Sequence, residues 1–160
     1  MSLPSKTGYE VFCDLIYTGK IDCSKVAIEV AAQVVVGFMW YSFIFGKTWV
    51  YWNTADKGLK RPEQWTQRYP FLVNMAMTIF AAVLRTLTIV AFAHSVGANT
   101  LCMYQQIGCF VAGIALMNIH QYFWEQRPYQ IWLIDAGNQL TLALVASSVQ
   151  FYLKDYKLPF

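Results

Sequence analysis

The chain has 160 residues, 57% of them hydrophobic and 13% charged, with a formal net charge of +3. A soluble domain carries about 25% charged residues, so this composition excludes a free globular surface in water and points to one domain built for a membrane. Twelve basic residues against nine acidic ones, with no basic run longer than Lys60-Arg61, exclude nucleic acid as a partner.

Residues 1–25 precede the first long apolar stretch and read as an N-terminal extension. Within them Tyr9, Phe12, Cys13, Ile16 and Tyr17 recur at three- and four-residue spacing around Glu10 and Asp14. That is the pattern of an amphipathic helix, lying on the membrane surface or packed on a partner or on the end of a bundle. The extension lacks the charged, apolar and small-residue succession of a signal peptide, and the first arginine is Arg61. With Met1 at the start, insertion by the protein's own helices is expected, as in bacteria or in carrier-type mitochondrial import.

Four stretches have the roughly 20 apolar residues that cross a hydrocarbon core: 26–45, 71–93, 101–123 and 131–153. The links 94–100 and 124–130 are short, so successive helices run antiparallel as neighbours. The expected fold is all-α, an integral membrane four-helix up-down bundle with an N-terminal amphipathic helix. Both termini then lie on one side, and residues 154–160 form a tail.

The longest link, 46–70, reads as a loop that mixes Trp49, Tyr51, Trp52, Trp65 and Tyr69 with Lys47, Lys57, Lys60, Arg61 and Arg68. Amphipathic rings and cations gather where lipid carbonyls meet phosphates. Lys47, Trp49, Trp52, Arg61 and Arg68, joined by Arg127, are therefore expected at the lipid headgroups. Cations do not fix the orientation: Lys6, Lys20, Lys25, Lys154 and Lys157 on the terminal side balance those five of the loop and Arg127.

Ionisable side chains inside a span are costly and seek partners. Arg85 follows Phe71 by 14 residues, about 21 Å at roughly 1.5 Å per residue, whereas Asp135 lies about 6 Å in from the same side. That separation disfavours an Arg85–Asp135 pair. Glu29, entering from the terminal side, comes within about 5 Å of the depth of Arg85 and is the expected partner. The pair is either a clamp between two helices or a charge on a transport path. Nearer the loop side, Asn74, Asn118, Asp135 and Gln139 form a second polar layer with Tyr41 and Ser42. It reads as an interhelical hydrogen-bond network or as the floor of a small-molecule cavity. Gly108 and Ala112 make a small-xxx-small pair suited to a close helix interface.

Cys13, Cys23, Cys102 and Cys109 show no Cys-x-x-Cys or zinc-ligand spacing, and His94 and His120 stand at helix ends without a neighbouring nucleophile. No catalytic triad, paired carboxylate or phosphate loop is visible, so neither an enzyme nor a cofactor or metal is expected.

Two stretches carry a family resemblance: Gly37-Phe-Met-Trp-Tyr-Ser-Phe-Ile-Phe-Gly-Lys-Thr-Trp49 and Glu125-Gln-Arg-Pro-Tyr-Gln-Ile-Trp-Leu-Ile-Asp-Ala-Gly137. Together they resemble the small four-helix membrane proteins grouped as domain of unknown function 1761. The resemblance runs from about Val26 onward, implies the four-helix topology and leaves function open. Two roles are expected. The first is a non-catalytic structural or accessory subunit of a larger membrane complex, foremost a mitochondrial inner-membrane energy-converting assembly such as a respiratory complex or ATP synthase. Its partners would be membrane lipids and other membrane subunits, and the added N-terminus and 17% aromatic content speak for it. The alternative is a small carrier or ligand-binding membrane protein that uses the polar layer, with the bacterial plasma membrane as the other location.

Overall fold

The computed structural model describes residues 22–61, 63 and 70–156. Most of the N-terminal extension, Trp65, Arg68 and Tyr69 of the long link, and the last four residues lie outside the described residues. The described residues form six α-helices and a π-turn and contain no strand.

Asp22 opens α1 (Cys23–Met39) by accepting hydrogen bonds from the Ser24 and Lys25 N–H groups at 2.9 and 3.4 Å. These are donors that a helix start leaves unpaired. The helix widens into a π-turn over Trp40–Ile44 and passes directly into α2 (Gly46–Asp56). Gly46 permits this junction, because a Cβ there would stand 2.6 Å from the Tyr41 carbonyl oxygen. The start of the presumed loop is thus a helix. Nothing in 46–56 breaks one, and Gly58, at φ 66°, is the first residue that can.

Pro70 starts α3 (Phe71–Ser95), where its missing N–H costs nothing. Gly97, at φ 64°, ends it, and the Ala98 N–H returns to the Ala93 carbonyl at 2.8 Å. Thr100 caps α4 (Leu101–Leu116), and after a break at Met117 and Asn118 the short α5 (Ile119–Trp124) continues. Pro128 starts α6 (Tyr129–Leu153).

Among the described residues three segments are long and apolar enough to cross a membrane: Cys23–Ile44, Phe71–Ser95 and Leu101–Trp124. Their limits follow the first three expected spans closely. The fourth, α6, has 25 residues like α3 but is not among them. Asp135, Asn138, Gln139, Thr141, Ser147 and Ser148 lower its hydropathy, so the expected set of four apolar spans is present as three. The polar helix is instead the best covered. It packs against all five of the other helices.

The closest crossing joins α4 to α6. A Cβ on Gly108 would lie 2.6 Å from the Ser147 hydroxyl and 2.9 Å from the Ala143 carbonyl oxygen, and Ala112, one turn on, is buried. Beside this crossing Ile89, Ala93, Tyr104, Ile107 and Ala146 form the apolar core. Polar clasps close both ends. The Lys25 ammonium donates to the Lys154 carbonyl at 3.2 Å, and Lys154 donates to the Asn99 carbonyl at 2.7 Å. The start of α1, the α3–α4 turn and the end of α6 therefore share one end. At the other, Arg127 meets Asp56 at 3.2 Å.

Gly108→Ala should destabilise the bundle by about 1–3 kcal/mol, since backbone faces the new methyl. Gly113→Ala, with nothing within 4 Å of its Cβ, should be neutral or slightly stabilising. Thermal unfolding of the two variants in one detergent checks the contrast.

Candidate functional site

Arg85 enters the bundle from the middle of α3 and is solvated by two amides. Its Nη1 donates to Gln33 Oε1 at 2.7 Å and its Nη2 to Gln139 Oε1. Gln33 in turn donates to the Thr86 hydroxyl at 2.9 Å, and both residues are buried. One guanidinium thus ties α1, α3 and α6 together, with carbonyl oxygens standing where water would otherwise be.

Glu29 is not the partner of Arg85, contrary to expectation. It is 0% exposed, the Thr86 hydroxyl is its polar neighbour, and neither carboxyl oxygen has a hydrogen bond of normal geometry. Equal depth along the helix axes was the wrong criterion. Helical side chains tilt toward their helix's N-terminus, so Arg85 leans toward the start of α3 and away from Glu29. It meets Gln33 one turn further in. Asp135 makes no bond to Arg85, because Gln139, one turn later on α6, occupies that place.

Asp135 is the centre of the second layer, but its partners are hydroxyls. Tyr41 donates to Oδ1 at 2.7 Å and Tyr122 to Oδ2 at 3.0 Å, while the Asn138 amide approaches the Tyr41 hydroxyl at 3.4 Å. The π-turn delivers Tyr41 and the short α5 delivers Tyr122. The ring of Trp40 covers Gly137, where a Cβ would come within 2.9 Å of it, and its N–H donates to the Ile134 carbonyl at 3.1 Å.

Around Asp135 lies a cavity of about 240 Å3, lined chiefly by Tyr41, Asn118, Tyr122, Trp132, Asp135 and Gln139. Asn118 is in its wall without bonding to the carboxylate. Asn74 lies outside this wall, and Ser42 is exposed and stands apart from it. Two buried polar atoms nearby, Trp132 Nε1 and Asn138 Oδ1, have no partner among the described residues. Among the described residues no group of three His, Cys, Asp or Glu could hold a metal.

The residues expected at the headgroups divide. Lys47 and Arg61 are exposed, Trp49 stacks edge-on to Tyr41 at 5.4 Å, and Trp52 meets Tyr51 at 5.2 Å. Arg127 is half-buried. It pairs with Asp56 and lies 4.9 Å above the ring of Tyr122, whose hydroxyl holds Asp135. Gln33, Tyr122, Asn138 and Trp132 escaped the sequence reading. A stripe of Glu29, Gln33, Gly37 and Tyr41 at four-residue spacing marks one face of α1 and the π-turn that follows it, and could have shown Gln33.

Over the described residues these features define an all-helical protein with three helices fit to cross a membrane, arranged around an internal polar seam. The chain belongs to the family described as Protein of unknown function (DUF1761), whose model matches residues 24–151. No curated protein and no solved structure matches it.

Asp135→Asn should be tolerated better than Asp135→Leu, because an amide oxygen still accepts from tyrosine. Leucine leaves the Tyr41 and Tyr122 hydroxyls without their acceptor, at about 1–3 kcal/mol for each that stays buried. Abundance in membranes and thermal stability in detergent should both fall in that order.

Proposed function

We propose that the protein crosses the bilayer four times and binds a small polar solute in the cavity around Asp135, as a small carrier or ligand-binding membrane protein. One observation carries this reading: a carboxylate braced by two tyrosines borders a cavity at the wall of which, among the described residues, no cation stands. A purely structural network would fill such a space with side chains.

The fourth crossing is α6. At about 1.5 Å per residue its 25 residues reach about 37 Å, more than a hydrocarbon core needs. Buried Asn138 and Ser147 face the other helices, whereas Leu133 and Leu140 are exposed as lipid-facing residues should be. Lys47, Trp49, Trp52, Arg61 and Arg127 then belong to the headgroup level at the Asp56 end of the bundle.

A second reading is an accessory subunit of a larger membrane complex, foremost one of the mitochondrial inner membrane. It is favoured by an outward groove of about 410 Å3 on α6 between Thr141 and Tyr152, lined by Leu144, Val145, Ser148 and Val149. Small and β-branched residues of this kind accept a neighbouring helix.

Two measurements separate the readings. Purified in lipid nanodiscs, the full chain should be stabilised saturably by at least one member of a panel of small anionic, neutral and cationic solutes. The gain is about 2.7 kcal/mol at a hundredfold excess over Kd. Absence of any such stabilisation, with comigration in a large assembly on native electrophoresis, would favour the subunit reading instead. For topology, a membrane-impermeant thiol reagent should reach Cys23 and a cysteine placed at Asp155 from one side, and a cysteine placed at Lys57 from the other. Labelling of all three from one side would contradict four crossings.

A further inference from the structure

We infer that the solute bound at Asp135 is a small, singly charged organic ammonium ion; this rests on the reading of the cavity as a binding site. The first ground is charge. Arg85 is engaged by the amide oxygens of Gln33 and Gln139, and Arg127 by Asp56. Among the described residues Asp135 has no ion-pair partner. Tyrosine hydroxyls solvate a carboxylate but cancel none of its charge, and an uncompensated anion at membrane depth is costly. A ligand that brings the positive charge removes that cost.

The second ground is valence. An ionised carboxylate offers about four lone-pair sites. Tyr41 and Tyr122 use one on each oxygen, which leaves acceptor capacity for an N–H donor. Asn118 makes no side-chain bond with the described residues and borders the same space, so it is available to a second polar group on the ligand.

The walls distinguish an organic cation from an inorganic one. Three rings, those of Tyr41, Tyr122 and Trp132, border the cavity, and aromatic faces attract ammonium groups. A calcium ion would need about six to eight oxygen ligands, far more than one carboxylate and one free amide provide. Arg85, standing behind Gln139, also opposes a divalent ion twice as strongly as a monovalent one. The volume of about 240 Å3 lies below the roughly 300 Å3 at which sites for drug-sized ligands begin.

The test uses the full chain in nanodiscs of zwitterionic lipid, titrated with ethylammonium, ethanol, acetate and sodium, each as a separate probe. Tryptophan fluorescence and calorimetry report binding. Ethylammonium should bind saturably and the other three should not. Asp135→Asn, which keeps an oxygen for one hydroxyl and puts an NH2 that can donate to the other, should weaken binding tenfold or more, and Trp132→Leu should weaken it more than Trp132→Phe. Binding of ethanol or acetate in place of ethylammonium would overturn the ammonium assignment and leave the cavity reading standing. Sodium binding as well as ethylammonium, or wild-type affinity in Asp135→Asn, would likewise overturn the assignment. Saturable binding of no probe of any charge would overturn both.

Discussion

A guanidinium in the middle of an apolar helix has to be solvated by the protein, and much of this bundle follows from how that is done. Arg85 uses one amide from α1 and one from α6. Because Gln33 and Gln139 must reach the same group, the registers of three helices are coupled. Fixing Gln139 also fixes what lies one turn earlier on α6. Asp135 is thereby held near the loop end, within reach of Tyr41 and Tyr122 and out of reach of the arginine. Of the polar residues that make α6 a poor apolar span, Asp135, Asn138, Gln139 and Ser147 face the other helices in this arrangement.

Two carboxyl groups flank the arginine, and their surroundings differ. Glu29 is fully enclosed, with the Thr86 hydroxyl as its polar neighbour and, among the described residues, no hydrogen bond of normal geometry. Asp135 is braced on both oxygens and opens onto a cavity. The difference arises from the helix tilt of Arg85, which directs its donors away from Glu29. The cavity is also linked to the end of the bundle. Arg127 holds Asp56 of α2 and lies over the ring of Tyr122, so movement of α2 would be felt at the carboxylate through two contacts.

Much of the helical layout was legible in the sequence because length and hydropathy alone set it. The limits of the first three apolar segments, the Pro70 and Pro128 starts and the close crossing at Gly108 and Ala112 could all be read from residue types. The α2 helix was missed because its mixture of aromatics and cations imitates an interfacial loop, although no residue between Gly46 and Asp56 forbids a helix. At the site, Arg85, Asp135 and Gln139 stood out as polar residues in apolar runs. Their partners did not. Tyr122 and Trp132 carry nothing in the sequence that sets them apart from the chain's other aromatics, and the π-turn that aims Tyr41 inward has no signature in composition. Depth along the helix axes also cannot tell which way a long side chain leans, which is why Glu29 was preferred to Gln33.

The central claim is that Arg85 is held jointly by Gln33 and Gln139, and a double-mutant cycle on bundle stability tests it most directly. Arg85→Met, Gln139→Leu and the double variant would be unfolded in one detergent system, and the set repeated with Gln33→Leu. The account predicts a coupling energy of about 0.5–3 kcal/mol in each cycle, as found for residues in direct contact. Removing a glutamine alone should cost more than removing it from the Arg85→Met background, because only the former leaves a buried guanidinium short of an acceptor. Additive losses in both cycles would contradict the account.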